Sequence, residues 1–356
     1  MHKHHFFKAG LLALSVVVLF LISWECYWRS QGYTTTFDDG EPLWADKRSM
    51  VYKEMDKATV FIGSSRIKYD LDIPTWESIT EDKAVQLAIE GNSPLPVLTD
   101  LANDDNFKGK LVIDVTEGLF FTNSIYNLET PRKHVAYYHK RSPTQRFSFT
   151  VNHLLESRLA FLNKDYLSVN SLLAKVPLQP RPKVFVMPYF PPEFSHNTFD
   201  RQSIIEAPFL TDSSLQKQVT GNWLFFANLS KDEPPISEAE LNGILQQVKT
   251  DVDKIRQRGG QVIFVRTPSS GPYLDMEKGA FAREKFWNRL LAFTHTEGIH
   301  FADYPETDHF ICPEWSHLSQ PDAVVYTKHL ITALKQKGWH FPNSKQLLAS
   351  SYSSHP

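Results

Sequence analysis

Ala58-Thr59-Val60-Phe61-Ile62-Gly63-Ser64-Ser65-Arg66 runs through five apolar or β-branched residues and stops at a glycine and two serines. A short run of this kind without strict alternation reads as a strand covered on both faces, as parallel sheets require. Ala84–Ile89, Lys110–Val115, Lys183–Met187, Gln261–Arg266 and Ile299–Tyr304 have the same length and character. Helical patterns separate the later runs. Leu241 to Arg258 carries Leu241, Ile244, Leu245, Val248, Val252 and Ile255 on one stripe and stops at Gly259-Gly260. A second helix, from Arg283 to Thr296, closes at Gly298, and a third, from Pro321 to Lys337, closes at Gly338. Strand, helix and glycine in that rhythm predict an α/β fold, a doubly wound parallel sheet over residues 58–342.

Between these elements the pattern changes. Residues 122–180 read as a helical insertion, with Tyr137, Tyr138, Phe147, Phe149, Leu154, Leu155, Leu159, Phe161 and Leu162 as packing residues. Pro188 to Pro235 is rich in proline and aromatic residues without a clear period, which predicts an ordered loop over the sheet edge. Residues 343–356 read as a flexible tail.

Ahead of the body, Ala9 to Trp24 carries no charge, and Phe6, Phe7, Tyr27 and Trp28 flank it with aromatics suited to a membrane interface. About 20 apolar residues cross a hydrocarbon core of about 30 Å. Residues 22–31 lack the small residues that a signal-peptide cleavage site needs, so an uncleaved anchor over residues 9–28 is favoured over a cleaved leader. Lys3 and Lys8 before the span favour a cytoplasmic N-terminus and an exported body, with residues 29–57 as a tether holding a short helix near Leu43 to Met55.

Net charge of −2 leaves no basic footprint for nucleic acid. Two cysteines, Cys26 and Cys312, are too few for a disulfide framework or a zinc cluster, and the fourteen histidines show no His-Glu-x-x-His spacing. No metal site is expected. Functional groups in such a sheet collect beyond the carboxyl ends of its strands. Ser64-Ser65 follows the first strand, Glu90-Gly91-Asn92-Ser93 the second, Thr116-Glu117-Gly118 the third, and Glu314-Trp315-Ser316-His317 the last. A serine hydroxyl attacks only when an imidazole takes its proton, and the imidazole needs a carboxylate to fix its tautomer. Ser65, His317 and Glu314 fit those roles, with Asp303 or Asp308 as alternative carboxylates. The backbone N–H groups of Ser65 and Gly91 are candidate donors to a developing oxyanion. Arg266 on the same rim suits a substrate carboxylate or phosphate, or a structural ion pair; Arg66 is similarly placed, and Glu117 suits orienting Arg66 or a water.

These blocks resemble the SGNH, or GDSL-like, hydrolase superfamily. Its Gly-Asp-Ser block matches Gly63-Ser64-Ser65, its second-block glycine matches Gly91, and its final Asp-x-x-His matches Glu314-Trp315-Ser316-His317. Gly-Ser-Ser behind a single N-terminal anchor is closer to the branch that includes the D-alanyl transfer protein DltD and the alginate acetylation proteins. The resemblance implies a three-layer α/β/α, flavodoxin-like domain outside the cytoplasmic membrane. It also implies partnership with a membrane-bound O-acyltransferase, transfer or cleavage of O-acyl groups on a cell-surface glycan, and no cofactor. In place of the family's third block, whose asparagine donates to the oxyanion, this chain has Asp114-Val115-Thr116-Glu117-Gly118. Thr116 either replaces that donor or leaves it missing, and losing one costs about 2.7–4 kcal/mol of transition-state stabilisation.

Other readings use the same residues. Gly63-Ser64-Ser65 is also an ordinary strand-to-helix cap, and Gly91 an ordinary turn glycine. An SGNH-shaped scaffold or polymer-binding module without activity is the rival class, and a lipid esterase a third.

Overall fold

The computed structural model describes residues 2–52, 57–174, 176, 188–229, 231 and 234–341. Seven strands occur among them: β1 Ala58–Ile62, β2 Lys83–Gln86, β3 Lys110–Asp114, β4 Ser195–Asn197, β5 Ser203–Ile205, β6 Gln261–Arg266 and β7 Gly298–His300. Five form one parallel sheet in the order β2-β1-β3-β6-β7, and β4 and β5 pair as a small antiparallel hairpin. Counted within the large sheet alone the order is 2-1-3-4-5, which reverses winding direction between β1 and β3 and opens a crevice beyond their carboxyl ends.

Register explains why the strands lack alternation in polarity. Val85, Val60, Leu111 and Val262 form one row across the sheet, and Phe61, Val112 and Ile263 form a row on the opposite face. The first row packs into a core with Trp44, Leu98, Leu245, Val248 and Val252, the second into a core with Trp76, Leu330, Ile331 and Leu334. Helices cover both faces. Each fully buried Val, Leu or Ile side chain stabilises by roughly 1.5–3 kcal/mol, so the two cores fix the strand ends.

Several elements differ from the sequence expectation. The strand expected at Ala84–Ile89 is shorter as a ladder, yet Leu87 and Ile89 still donate to Phe61 and Gly63 carbonyls at 2.8 and 3.2 Å. β7 turns into a 3-10 turn at Phe301–Asp303, because the His300 ring accepts the Ala302 N–H. Gly298 does not stop the preceding helix. His295 does so in a left-handed conformation, whereas a Cβ at Gly298 would lie 2.7 Å from Trp287 and 2.8 Å from Leu291.

Within the segment read as a tether, the expected short helix belongs to the core. The helix Glu41–Met50 buries Trp44, whose indole N–H donates to the Leu87 carbonyl at 2.9 Å, and Arg48, which pairs with Asp100 and Asp104. Pro188 to Pro235 is not only loop: it holds the β4–β5 hairpin and the helices Ala207–Thr211 and Ser213–Leu229. Lys183–Met187 and the tail 343–356 lie outside the described residues.

The chain divides into two compact units: residues 1–38 with 142–187, and residues 39–141 with 188–356. The insertion expected at 122–180 is therefore split. Its first helix, Ile125–Lys140, belongs to the sheet unit and packs on Glu41–Met50. The other unit contains the N-terminal helix His2–Ser30, long and apolar enough over His5–Ser30 to cross a membrane.

Candidate active site

At the end of β1 the chain passes within contact of β3, and glycine is required for it. A Cβ on Gly63 would sit 2.6 Å from the Asp114 Cβ and 2.9 Å from Ile67. Beyond it, Ser64 occupies the N-cap position without a side-chain cap bond and Ser65 begins the helix Ser65–Asp70, which leaves the Ser65 hydroxyl half-buried on the sheet rim.

The last rim loop brings its partners. Trp315, with φ of 77°, turns the chain sharply, so Glu314 and His317 face one another. One oxygen of Glu314, Oε1, accepts both the backbone N–H of His317 at 2.7 Å and its ring Nδ1 at 2.9 Å. With Nδ1 holding a proton toward the carboxylate, Nε2 is left as an acceptor, and it lies 2.8 Å from Ser65 Oγ. Glu314 is fully buried and His317 nearly so. The next residue, Leu318, donates its N–H to Asp70 at 2.9 Å, and Ser319 caps the helix Gln320–Gln336. His317 is thus held from the first helix after β1 and by the final helix.

Three supporting residues escaped the sequence reading. Trp223, from the helix Ser213–Leu229, donates its indole N–H to Glu314 Oε2 at 2.5 Å and sets its ring 5.9 Å from the imidazole. Tyr69 stacks on His317 with ring centroids 4.2 Å apart. Glu277 joins Arg66 at 2.5 Å and Arg266 at 2.7 Å. No local motif marks any of them. Trp223 lies among Leu224, Phe225 and Phe226, an aromatic run in which no single face stands out.

The remaining sequence candidates fall as follows. Gly91 lies two residues beyond the Ile89–Gly63 bond, in a turn with φ of 65°, and its carbonyl accepts from Asn127. The N–H groups of Ser65 and Gly91 take no acceptor among the described residues. Thr116 Oγ1 donates to Asp114 at 3.2 Å and meets Ser64 Oγ at 2.7 Å, so its hydroxyl is occupied. Arg66 is buried against Glu277 and Ser316, and Arg266 against Glu117, Ser269 and Glu277. Two guanidiniums therefore face two carboxylates, an ion-pair cluster without surplus charge. Asp303 pairs with Arg283 and Asp308 lies beside His309; neither takes the place of Glu314 at the ring. Cys312 is a buried free thiol whose pKa is pushed up by burial. Among the described residues no group of three or more His, Cys, Asp or Glu is placed to hold a metal ion.

Electrostatics separate the carboxyls of this rim. Burial pushes Asp70 well above the usual carboxylate range, with Asp114 adding to it, and burial likewise raises Asp114. Burial would raise Glu277 too, but Arg66 and then Arg266 hold it down at about 2.

No family model matches the chain, and no curated protein matches it in sequence. The geometry alone carries the assignment of this site.

Two measurements test its construction. Trp223→Phe keeps an aromatic side chain, though a smaller one, and removes a donor from a buried carboxylate, so denaturant unfolding should show a loss of at least about 1.5–3 kcal/mol; an unchanged midpoint would sink the bond. Glu277 has a depressed folded pKa, so its stabilisation is present above the ordinary value of 4.5 and lost as pH falls toward 2. The stability gap between wild type and Glu277→Gln should accordingly narrow as pH falls through that window, and a constant gap would refute the ion-pair role.

Proposed function

We propose that this protein is an SGNH-like serine acyltransferase or esterase, anchored by its N-terminal helix, that acts on O-acyl groups of a cell-envelope glycan. One observation carries the proposal: the Ser65–His317–Glu314 relay, at 2.8 and 2.9 Å, joins residues 252 positions apart in the chain. Supporting the family reading are the positions of Gly63-Ser64-Ser65 after β1, Gly91 after β2 and the Glu-x-x-His loop after β7. The flavodoxin-like strand order agrees with it.

In the proposed reaction Ser65 Oγ attacks the acyl carbonyl carbon as its proton passes to His317 Nε2. The carbonyl electrons move onto oxygen, which the N–H groups of Ser65 and Gly91 receive. Collapse expels the alcohol, which takes the proton back from His317, and leaves an ester on Ser65. A second hydroxyl, from sugar or water, then attacks that ester as His317 takes its proton; collapse breaks the bond to Ser65 Oγ, which recovers the proton from His317, and releases the new ester or the free acid. Glu314 holds the tautomer and stabilises the imidazolium, and Trp223 holds Glu314. Because Arg66 and Arg266 are already neutralised, a neutral acyl ester suits this rim better than a phosphate or carboxylate.

The N-terminal helix would hold the domain at the cytoplasmic membrane with the body outside, as Lys3 and Lys8 before the span favour. A membrane-bound O-acyltransferase is the proposed acyl donor partner. A non-catalytic scaffold is the second reading, and the engagement of Thr116 with Asp114 and Ser64 favours it, since the family's third-block donor then has no replacement.

A fluorophosphonate probe decides between them. Wild type should label at Ser65; Ser65→Ala and His317→Gln should not, and Glu314→Gln should slow labelling by a factor on the order of 10⁴. Folded wild-type protein that stays unlabelled would leave the scaffold.

A further inference from the structure

Phe147, Leu154 and Leu155 were expected in a core, yet they are exposed, Phe147 at 71% and Leu154 at 56%. They lie on the helix Pro143–Glu156, which is fixed at its start by a reciprocal capping box between Ser142 and Gln145. At 100° per residue, Phe147, Val151, Leu154 and Leu155 share one face. Phe149 and His153 point the other way, where His153 stacks on Phe149 and approaches Phe37. The protein packs on one side of this helix and leaves its apolar stripe outward. Val169, Leu172 and Leu173, on the helix Val169–Ala174 of the same unit, are exposed as well.

The level at which this helix is held identifies what covers it. Two residues beyond its end, Arg158 offers its carbonyl to Arg29, and the N–H groups of Ala160 and Phe161 donate to Glu25 at 2.9 and 3.2 Å. Glu25 is the first charge after the uncharged run Ala9–Trp24, so this clamp sits where the apolar span of the N-terminal helix ends. Trp24, Tyr27 and Trp28, residues suited to the headgroup level, form ring contacts there.

We infer that the helix Pro143–Glu156 lies in the plane of the membrane, with Phe147, Val151, Leu154 and Leu155 inserted at the boundary between headgroups and acyl chains. Such a helix buries its apolar face to a depth of about 5–10 Å. The inference rests on the membrane-anchor reading of the N-terminal helix and not on catalysis. It gives this unit a second membrane contact beside the span itself.

Site-directed spin labelling of the full chain tests it, in vesicles of phosphatidylethanolamine and phosphatidylglycerol and in native membranes. In a Cys26→Ser background, labels are placed singly through Val151→Cys, Leu154→Cys, Gln145→Cys and Val17→Cys. Oxygen, which concentrates in lipid, should relax the labels at 151 and 154 severalfold more, relative to a water-soluble nickel chelate, than the label at 145. Equal access of the nickel chelate at 145, 151 and 154, with the label at 17 in lipid, would overturn the inference and leave the anchor standing. Nickel access at 17 would remove the anchor reading itself. Labels at 151 and 154 shielded from both agents in native membranes would mean a protein partner covers the stripe, which also overturns it.

Discussion

A carboxylate with no contact to water sits at the centre of this structure. Removing such a charge from solvent costs several kcal/mol unless donors replace the lost hydration, and Glu314 receives three: the backbone and ring N–H of His317 and the indole N–H of Trp223. Each donor fixes something else. The backbone bond shapes the loop, the ring bond fixes the imidazole, and the indole bond ties the loop to the helix Ser213–Leu229. The left-handed residue Trp315 and the cap at Ser319 are the means by which a short segment presents both groups to one acceptor.

Around that centre, charge is arranged in two zones. On one side, burial raises the pKa of Asp70 and Asp114, one meeting Leu318 N–H and the other the hydroxyls of Thr116 and Thr267. Beside them, Arg66 and Arg266 are matched by Glu277 and Glu117.

Residue type and strand position make part of this legible in the sequence. Gly63-Ser64-Ser65 and Glu314-Trp315-Ser316-His317 are compact blocks whose chemistry is local, and buried parallel strands announce themselves by continuous apolar runs. Trp223, Tyr69 and Glu277 stayed hidden because their roles arise from packing between distant elements. The helix Ser213–Leu229 was masked by aromatics on several faces. The helix Glu41–Met50 answers the short helix expected near Leu43 to Met55, but its polar composition hid its place in the core, where Trp44 and Arg48 are both buried. The reading of Phe147, Leu154 and Leu155 as core followed from hydrophobicity alone, which does not distinguish burial in protein from exposure toward another apolar phase.

The separation of Ser65 from His317 has a thermodynamic meaning. Closing a loop of 252 residues carries an entropic cost of roughly 5 kcal/mol from the logarithmic dependence on length. A hydrogen bond returns only about 1 kcal/mol net. The relay therefore cannot hold its own members together; β1, β7 and the helices packed on them do so. Its geometry is a property borrowed from the whole sheet, and whatever loosens either apolar layer shifts the rim without touching it.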